Sequence, residues 1–305
     1  MLKLHAFLVA PAALAYWSGA AGGRARANGR ARILMLHGVP RRHAALLGRV
    51  LRYVRRQFHV VSLQDLLNEE HDLGGKLAIT FDDGLRNNVD VAYPILQKLG
   101  LTATFFVCPG LIETGSWLWN HEARERLRSL DAHALVELTG RIGAPIDGVE
   151  PIVEWMKTLK IAERRRVEHE IRAATPSFKP SAEQREEFDL ARWDELSRLD
   201  TRTVAIGSHT MTHPILTSLS AEETEAETRE SRFTLERRMG REVSVFCYPN
   251  GDLNDGALAS ARRHYRSAVT TEAGRLEGKV DPHRLPRYSA TPGWNRRLAR
   301  RMVLG

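Results

Sequence analysis

Cysteine is almost missing from this sequence: Cys108 and Cys247 are the only two in 305 residues. They form neither a CxxC pair nor a disulfide framework, so they leave the redox compartment open. Each closes an apolar run, where a small buried thiol is expected. Long apolar runs are scarce as well. Beyond the first 17 residues no stretch approaches 18 apolar residues, which excludes a membrane-spanning helix from the rest of the chain. Internal repeats and low-complexity tracts are absent, and no aromatic-plus-basic motif marks a nucleic-acid surface.

What is present is an ordinary globular balance, 43% apolar and 27% charged, with a basic excess of +8. Much of that excess is arginine at the two ends: Arg24, Arg26, Arg30 and Arg32, then Arg296, Arg297, Arg300 and Arg301. End-loaded charge suits contact with an anionic membrane surface better than a groove that tracks phosphates. The first 23 residues combine a weakly basic start, an apolar stretch from Ala6 to Trp17 and small residues from Ser18 to Gly23. That is the pattern of a signal segment and would place the protein in a bacterial envelope or periplasm. The arginines directly after it oppose export, and without cleavage the protein would be cytoplasmic. We therefore divide the chain into an extension over 1–30, a main domain over 31–290 and a basic tail over 291–305.

From residue 33 onward, short apolar runs alternate with helical stretches. "ILML", "LAITF", "ATFFVC", "TVAIGS", "VSVFCYP", "SAVTT" and "RLPRY" read as strands. Between them a helix is expected over 44–56, another up to Lys98 with Gly100 as its cap, and another near 256–264. A further helix starts at Ser220 with Glu223 as its capping-box partner and stops at Gly240. Strand–helix alternation implies a parallel sheet covered by helices. Seven such strands predict an α/β fold of distorted (β/α)7-barrel type. The charge-rich stretch over about 111–200 breaks the rhythm and reads as a helical insertion over one barrel end.

The polar residues that directly follow the apolar strands carry the chemistry. His37, Asp82, Asp83, Cys108, His209 and Tyr248 all stand at such ends, and in βα barrels those ends share the face that holds the active site. Adjacent carboxylates at Asp82 and Asp83 repel by roughly 1 kcal/mol in water and by more in a cleft. A bound cation removes that cost. His209 and His213 stand four apart and Pro214 fixes the backbone after them, so with Asp83 they supply two imidazoles and one carboxylate. Such a set suits one divalent ion, zinc foremost, with cobalt or nickel as alternatives.

"TFDDG", "SHTMTHP" and "FCYPNG", in that order at strand ends, resemble the polysaccharide deacetylases of carbohydrate esterase family 4, the NodB-homology domain. The likeness runs from Ile33 to Tyr288, and "WLWNHE" and "RWDELSRL" resemble segments of the family's bacterial branches. The resemblance implies that Asp82 is the catalytic base and that Asp83, His209 and His213 bind the metal. It also implies that Tyr248, Pro249 and Asn250 line the substrate groove, with the Asn250 N–H facing the oxyanion. Many members carry an arginine where Cys247 stands, so what orients Asp82 is open. Arg287, in the last strand, is the candidate. The family's acid histidine has no convincing C-terminal equivalent, since His264 falls mid-helix and His283 in a loop, both expected at the surface. Circularly permuted branches place it after the first strand, where His37 stands.

The expected reaction is therefore hydrolysis of an N-acetyl amide on an amino-sugar polysaccharide or glycoconjugate. The ion activates water, Asp82 takes its proton and His37 protonates the leaving amine. A catalytically weak carbohydrate-binding relative, and a deacylase of a small or lipid-linked sugar, are the alternatives. A nucleic-acid binder rests on charge alone, and no specific nucleic acid is expected as a partner.

Overall fold

A computed structural model describes residues 30–68, 73–145 and 148–290. The expected N-terminal extension and basic tail lie outside them, save for Arg30, which pairs with Glu277; Arg32, expected among the surface-facing terminal arginines, is instead fully buried. No helix among the described residues is long and apolar enough to cross a membrane.

Eight strands form one sheet in which every paired neighbour runs parallel: β1 (Arg32–Leu36), β2 (His59–Val60), β3 (Lys76–Phe81), β4 (Ala103–Val107), β5 (Val204–Ser208), β6 (Val245–Cys247), β7 (Ser267–Val269) and β8 (Tyr288–Ser289). The spatial order is β7-β6-β5-β4-β3-β1-β8, with β2 beside the start of β3. The two ends of this path approach each other. Val269 of β7 bridges Leu285, three residues before β8 begins, and so brings the curled sheet toward closure as a distorted barrel. The two-residue β2 was not legible in the sequence. Its residues are half-exposed or exposed, so no apolar run announces it.

β1, β3 and β4 are buried along their whole length. Strands covered on both faces need apolar side chains on both, which is why they read as runs rather than alternations. Helices α1 (Ala44–Gln57), α2 (Leu63–Asn68), α3 (Tyr93–Leu99) and α4 (Pro109–Thr114) alternate with the first strands. α3 is entered through a π-helical turn and ends at Gly100, which adopts the left-handed conformation expected of a glycine cap. Later come α11 (Ala221–Met239) and α12 (Asp255–His264). α11 opens with the Ser220–Glu223 capping box, each side chain satisfying the other's backbone N–H.

Between β4 and β5 the chain adds α5 (Trp119–Arg128), α6 (Ala132–Ile142), α7 (Val149–Thr158), α8 (Ile161–Ala174), α9 (Ala182–Phe188) and α10 (Trp193–Ser197). α5 to α8 share a small core built from Leu127, Leu138, Ile152, Met156 and Val167. That core also takes in Ile215, from the loop after β5. Buried Arg164 lies 4.4 Å over the Trp119 ring and pairs with Glu168 at 2.9 Å. The insertion is thus packed onto the end of the sheet where the candidate residues stand.

The parallel register aligns the strand ends. Leu36 pairs with Phe81, Val107 with Ser208 and Ser208 with Phe246. Gly207 permits the close approach of β5 to β4, because a Cβ there would meet the buried Phe106 ring at 2.5 Å. Gly207→Ala is expected to destabilise the protein by about 1–3 kcal/mol through overpacking. Thermal unfolding should register this as a lower Tm; an unchanged Tm would show that the ring has room to move.

Candidate active site

The site is built where β3 stops. The Asp82 N–H still donates to the Leu36 carbonyl at 2.9 Å, extending the ladder by one residue. Asp83 then leaves the extended conformation with φ 75°, followed by Gly84 at φ 69°. Gly84 is required here: a Cβ would stand 3.0 Å from the Val107 side chain. Among the described residues, the non-glycine positions with left-handed φ are Asp83, Thr210, His213 and Asn250. All four lie in loops that leave the C-terminal ends of strands, where backbone strain commonly accompanies function.

Asp82 is held by a guanidinium. Arg287 donates to its two carboxylate oxygens at 2.7 and 2.8 Å. The same side chain, fully buried, donates to the Thr270 carbonyl at 2.8 Å, the Thr80 hydroxyl at 3.0 Å and the Cys247 sulfur at 3.2 Å. The Cys247 thiol stands 3.5 Å from Asp82 Oδ2. Burial pulls the Asp82 carboxyl upward, but the charge and hydrogen bonds of Arg287 outweigh it and hold the group below the ordinary carboxylate range. Where Cys247 replaces the arginine of the third motif, Arg287 of the last strand segment thus occupies the carboxylate.

Asp83, His209 and His213 converge. Asp83 Oδ1 lies 3.6 Å from His209 Nε2 and 3.4 Å from His213 Nε2. Their ligand atoms form a group of the size that holds a metal ion. The donor set fits a divalent cation for two further reasons. His209 Nδ1 is 2.8 Å from the Cys247 carbonyl, which can only accept, so Nδ1 carries the proton and Nε2 presents its lone pair. His213 Nδ1 is buried without a partner, and burial lowers this imidazole to a pKa of about 4, keeping it neutral as a ligand must be. Burial would also lower His209, but Cys247 and the carboxylates around it overcome that and raise it, so proton and cation compete for its Nε2. The two histidines sit on a loop, not a helix. The His213 N–H donates to the Thr210 hydroxyl at 3.0 Å, and Trp119 of the insertion donates to the His213 carbonyl at 3.1 Å. Asp82, His209 and Cys247 form a second compact group. It suits an ion less well, since Arg287 already neutralises Asp82 and burial pushes the Cys247 thiol up.

His37, directly after β1, places Nε2 4.0 Å from Asp82 Oδ2, and its side chain is 46% exposed. It stands beside both aspartates at the rim of a cavity of about 320 Å³.

The polysaccharide deacetylase family model matches residues 70–269, about two thirds of the chain. The chain belongs to the polysaccharide deacetylase family. It is 21% identical over 216 residues to the putative polysaccharide deacetylase YxkH of Bacillus subtilis, covering 70% of this chain and 51% of that relative. It therefore spans about half the length of that curated relative. The fold is similar to that of the Streptococcus pyogenes deacetylase PplD solved with acetate, with TM-score 0.60, 18% identity and coverage of 90% of this chain and 98% of that one. IcaB from Ammonifex degensii is similar at TM-score 0.56 and 16% identity, with the same coverages.

This polysaccharide deacetylase family member brings in one site residue that the sequence reading missed. His121 of α5 places Nε2 4.0 Å from Asp83 Oδ2, and its ring stacks on Phe188 of α9 with centroids 4.7 Å apart. Its Nδ1 is buried without a partner. The signal was available only as a histidine inside the family-like "WLWNHE"; no spacing ties it to Asp83. Tyr248, Pro249 and Asn250 stand in the turn after β6, and the cavity wall does not include them. The Tyr248 hydroxyl donates to the His283 carbonyl at 3.1 Å, and Asn250 Nδ2 donates to Asp252 at 2.6 Å. Two expectations need correction. His264 ends α12 rather than sitting mid-helix, and both it and His283 are half-buried rather than fully at the surface. His264 pairs with Glu225, and His283 Nε2 lies 2.9 Å from the Tyr265 carbonyl, so both are engaged elsewhere.

Removing the Asp82 partner tests this geometry. Arg287→Met should destabilise by about 3–5 kcal/mol at neutral pH, because it leaves a buried carboxylate unpaired. Paired Asp82 has a lowered pKa, so in the native protein its contribution is present above the unfolded value of 3.8 and fades as pH falls through the lower folded value. In the variant the unpaired carboxyl shifts the other way, and acid relieves it. The stability gap between the two proteins should therefore narrow as pH falls from the variant's raised value, above 3.8, toward the lowered native one. Denaturant unfolding across pH measures it; a gap independent of pH would detach the effect from Asp82.

Proposed function

We propose that the protein is a divalent-metal-dependent hydrolase that removes N-acetyl groups from an amino-sugar-containing polysaccharide or glycoconjugate. The observation that carries this reading is the adjacency of two differently equipped carboxylates. Asp82 is clamped by Arg287, and Asp83 is surrounded by the imidazoles of His209 and His213. Asp83, His209 and His213 would hold the ion, zinc foremost and cobalt or nickel alternatively. Bound there, the ion would polarise the amide carbonyl and lower the pKa of a water.

The rest falls to the chain itself. Asp82, kept ionised by Arg287, accepts the proton of the attacking water. Because Arg287 engages both oxygens, the carboxylate cannot rotate away from the substrate. The Asn250 N–H, in the turn after β6, is the candidate donor to the developing oxyanion. His37 delivers a proton to the departing amine, which leaves poorly as an anion. Its position directly after the first strand, ahead of the ligand histidines in the chain, is what a circularly permuted branch of the family would have. An N-acetylated glycan is the partner this chemistry needs.

Two experiments divide these roles. Purified protein should contain about one divalent ion per chain, and exhaustive chelation should abolish amine release from N-acylated amino sugars. Asp82→Asn should eliminate turnover while retaining the ion, whereas Asp83→Asn should lose the ion. Reversed behaviour would exchange the two assignments, and full activity in metal-free protein would remove the mechanism.

His37→Ala should cut kcat by roughly 10²–10⁴ at unchanged metal content. The loss should be much smaller on an acetylated phenol, whose leaving group needs little protonation. An equal loss on amide and ester would make His37 structural.

A further inference from the structure

His37 is placed by its backbone more than by its ring. The ring is nearly half exposed, and Asp82 Oδ2 stands 4.0 Å from it, too far for a hydrogen bond. The chain is fixed on both sides of it. Before His37, the Leu36 carbonyl accepts from the Asp82 N–H at 2.9 Å. After it, the Val39 N–H donates to Asn87 Oδ1 at 2.8 Å. Both anchors lie in the stretch that follows β3 and carries Asp83. Gly38 brings the intervening loop directly onto that stretch. A Cβ there would meet Leu85 Cδ1 at 2.7 Å and both amide atoms of Asn87 at 3.4 Å.

Asn87 is buried, and its amide is engaged at both ends. While Oδ1 accepts from Val39, Nδ2 donates to the carbonyls of Glu186 at 3.0 Å and Glu187 at 3.1 Å. Those carbonyls belong to the last turn of α9, where the helix itself supplies no donors. The three partners also fix which way the amide points, since turning it over would set its oxygen against two carbonyl oxygens. One side chain thus joins the His37 loop, the segment of the two aspartates and the helix that ends in Phe188. α9 has further ties to that segment: the Arg86 N–H donates to the Asp189 carbonyl at 2.8 Å, and the Ala191 N–H to the Gly84 carbonyl at 2.9 Å. The His37 loop has less. Its next tie, from the Arg41 N–H to Glu186 Oε1, is exposed. Loss of the Asn87 amide therefore falls mainly on His37.

We infer that Asn87 is a positioning residue for the reaction: it holds the loop after β1 so that the His37 imidazole stands where the departing amine must be protonated. The inference rests on the deacetylase reading above and on the role given there to His37. Proton transfer requires the donor within hydrogen-bond reach of the nitrogen, and a misplacement of about 1 Å can cost on the order of a hundredfold in rate. Asn87 meets this need from a distance. Its bonds go to Val39, Glu186 and Glu187, none of which is a proposed ligand, base or acid.

The test compares two substrates on metal-reconstituted full-length protein, N-acetylglucosamine oligomers and an acetylated phenol, with metal content measured alongside. Asn87→Ala should lower kcat on the amide by roughly 10- to 100-fold. It should barely change turnover of the phenol ester and leave the metal content as in the parent protein. Combined with His37→Ala it should add almost nothing on the amide, because a residue that acts through His37 has no effect once His37 is gone. If Asn87→Ala does not fold, Gly38→Ala carries the same test, since its methyl presses the loop off Asn87 from the other side and leaves no buried polar group unpaired. Equal losses on amide and ester, or losses that multiply in the double variant, would overturn the inference and leave the deacetylase reading standing. A His37→Ala variant that loses both activities equally would remove the inference together with the role of His37. No amine from the parent protein would overturn the deacetylase reading itself.

Discussion

The buried pair between Arg287 and Asp82 is the contact on which the rest of the site depends. It joins the last strand segment to the end of β3, and 205 residues of chain separate its partners. Burying a guanidinium is costly, and here its donors offset that cost by reaching a carboxylate, a carbonyl, a hydroxyl and a thiol. The pair therefore does two things at once. It draws the chain between β7 and β8 inward, toward closure of the barrel, and it fixes the ionisation and orientation of the Asp82 carboxylate. Cys247 fits this arrangement because a thiol is small enough to leave the guanidinium room.

Asp83 is controlled differently, by backbone geometry. One residue in the left-handed region separates its environment from that of Asp82, so two neighbouring carboxylates serve different partners. The loop that carries His209 and His213 uses the same device at Thr210 and at His213 itself. Such conformations persist only where surroundings over-determine them. Trp119 grips the His213 carbonyl, Thr212 bonds to Glu227 of α11, and Ile215 is packed into the insertion's core.

The insertion is therefore part of the site's architecture. It contributes His121 to the surroundings of Asp83, holds the histidine loop, and closes the apolar cavity with Phe188.

Much of this was determined by the sequence alone. Apolar runs covered on both faces announce the parallel strands, and polar residues directly after them announce the catalytic end, because a parallel sheet collects all its strand ends on one side. Asp82, Asp83, His209 and His213 were legible for that reason, and the caps at Gly100 and Ser220 because capping is local chemistry. The tertiary structure decided what no local pattern encodes. Arg287 meets Asp82 only once the sheet has curled, and β2 exists only because its neighbour does. His121 enters through a helix whose own sequence is unremarkable, and the cavity arises from α1 and α9 meeting over β1. Contacts between residues far apart in the chain depend on packing, and packing leaves no periodicity in the sequence to read.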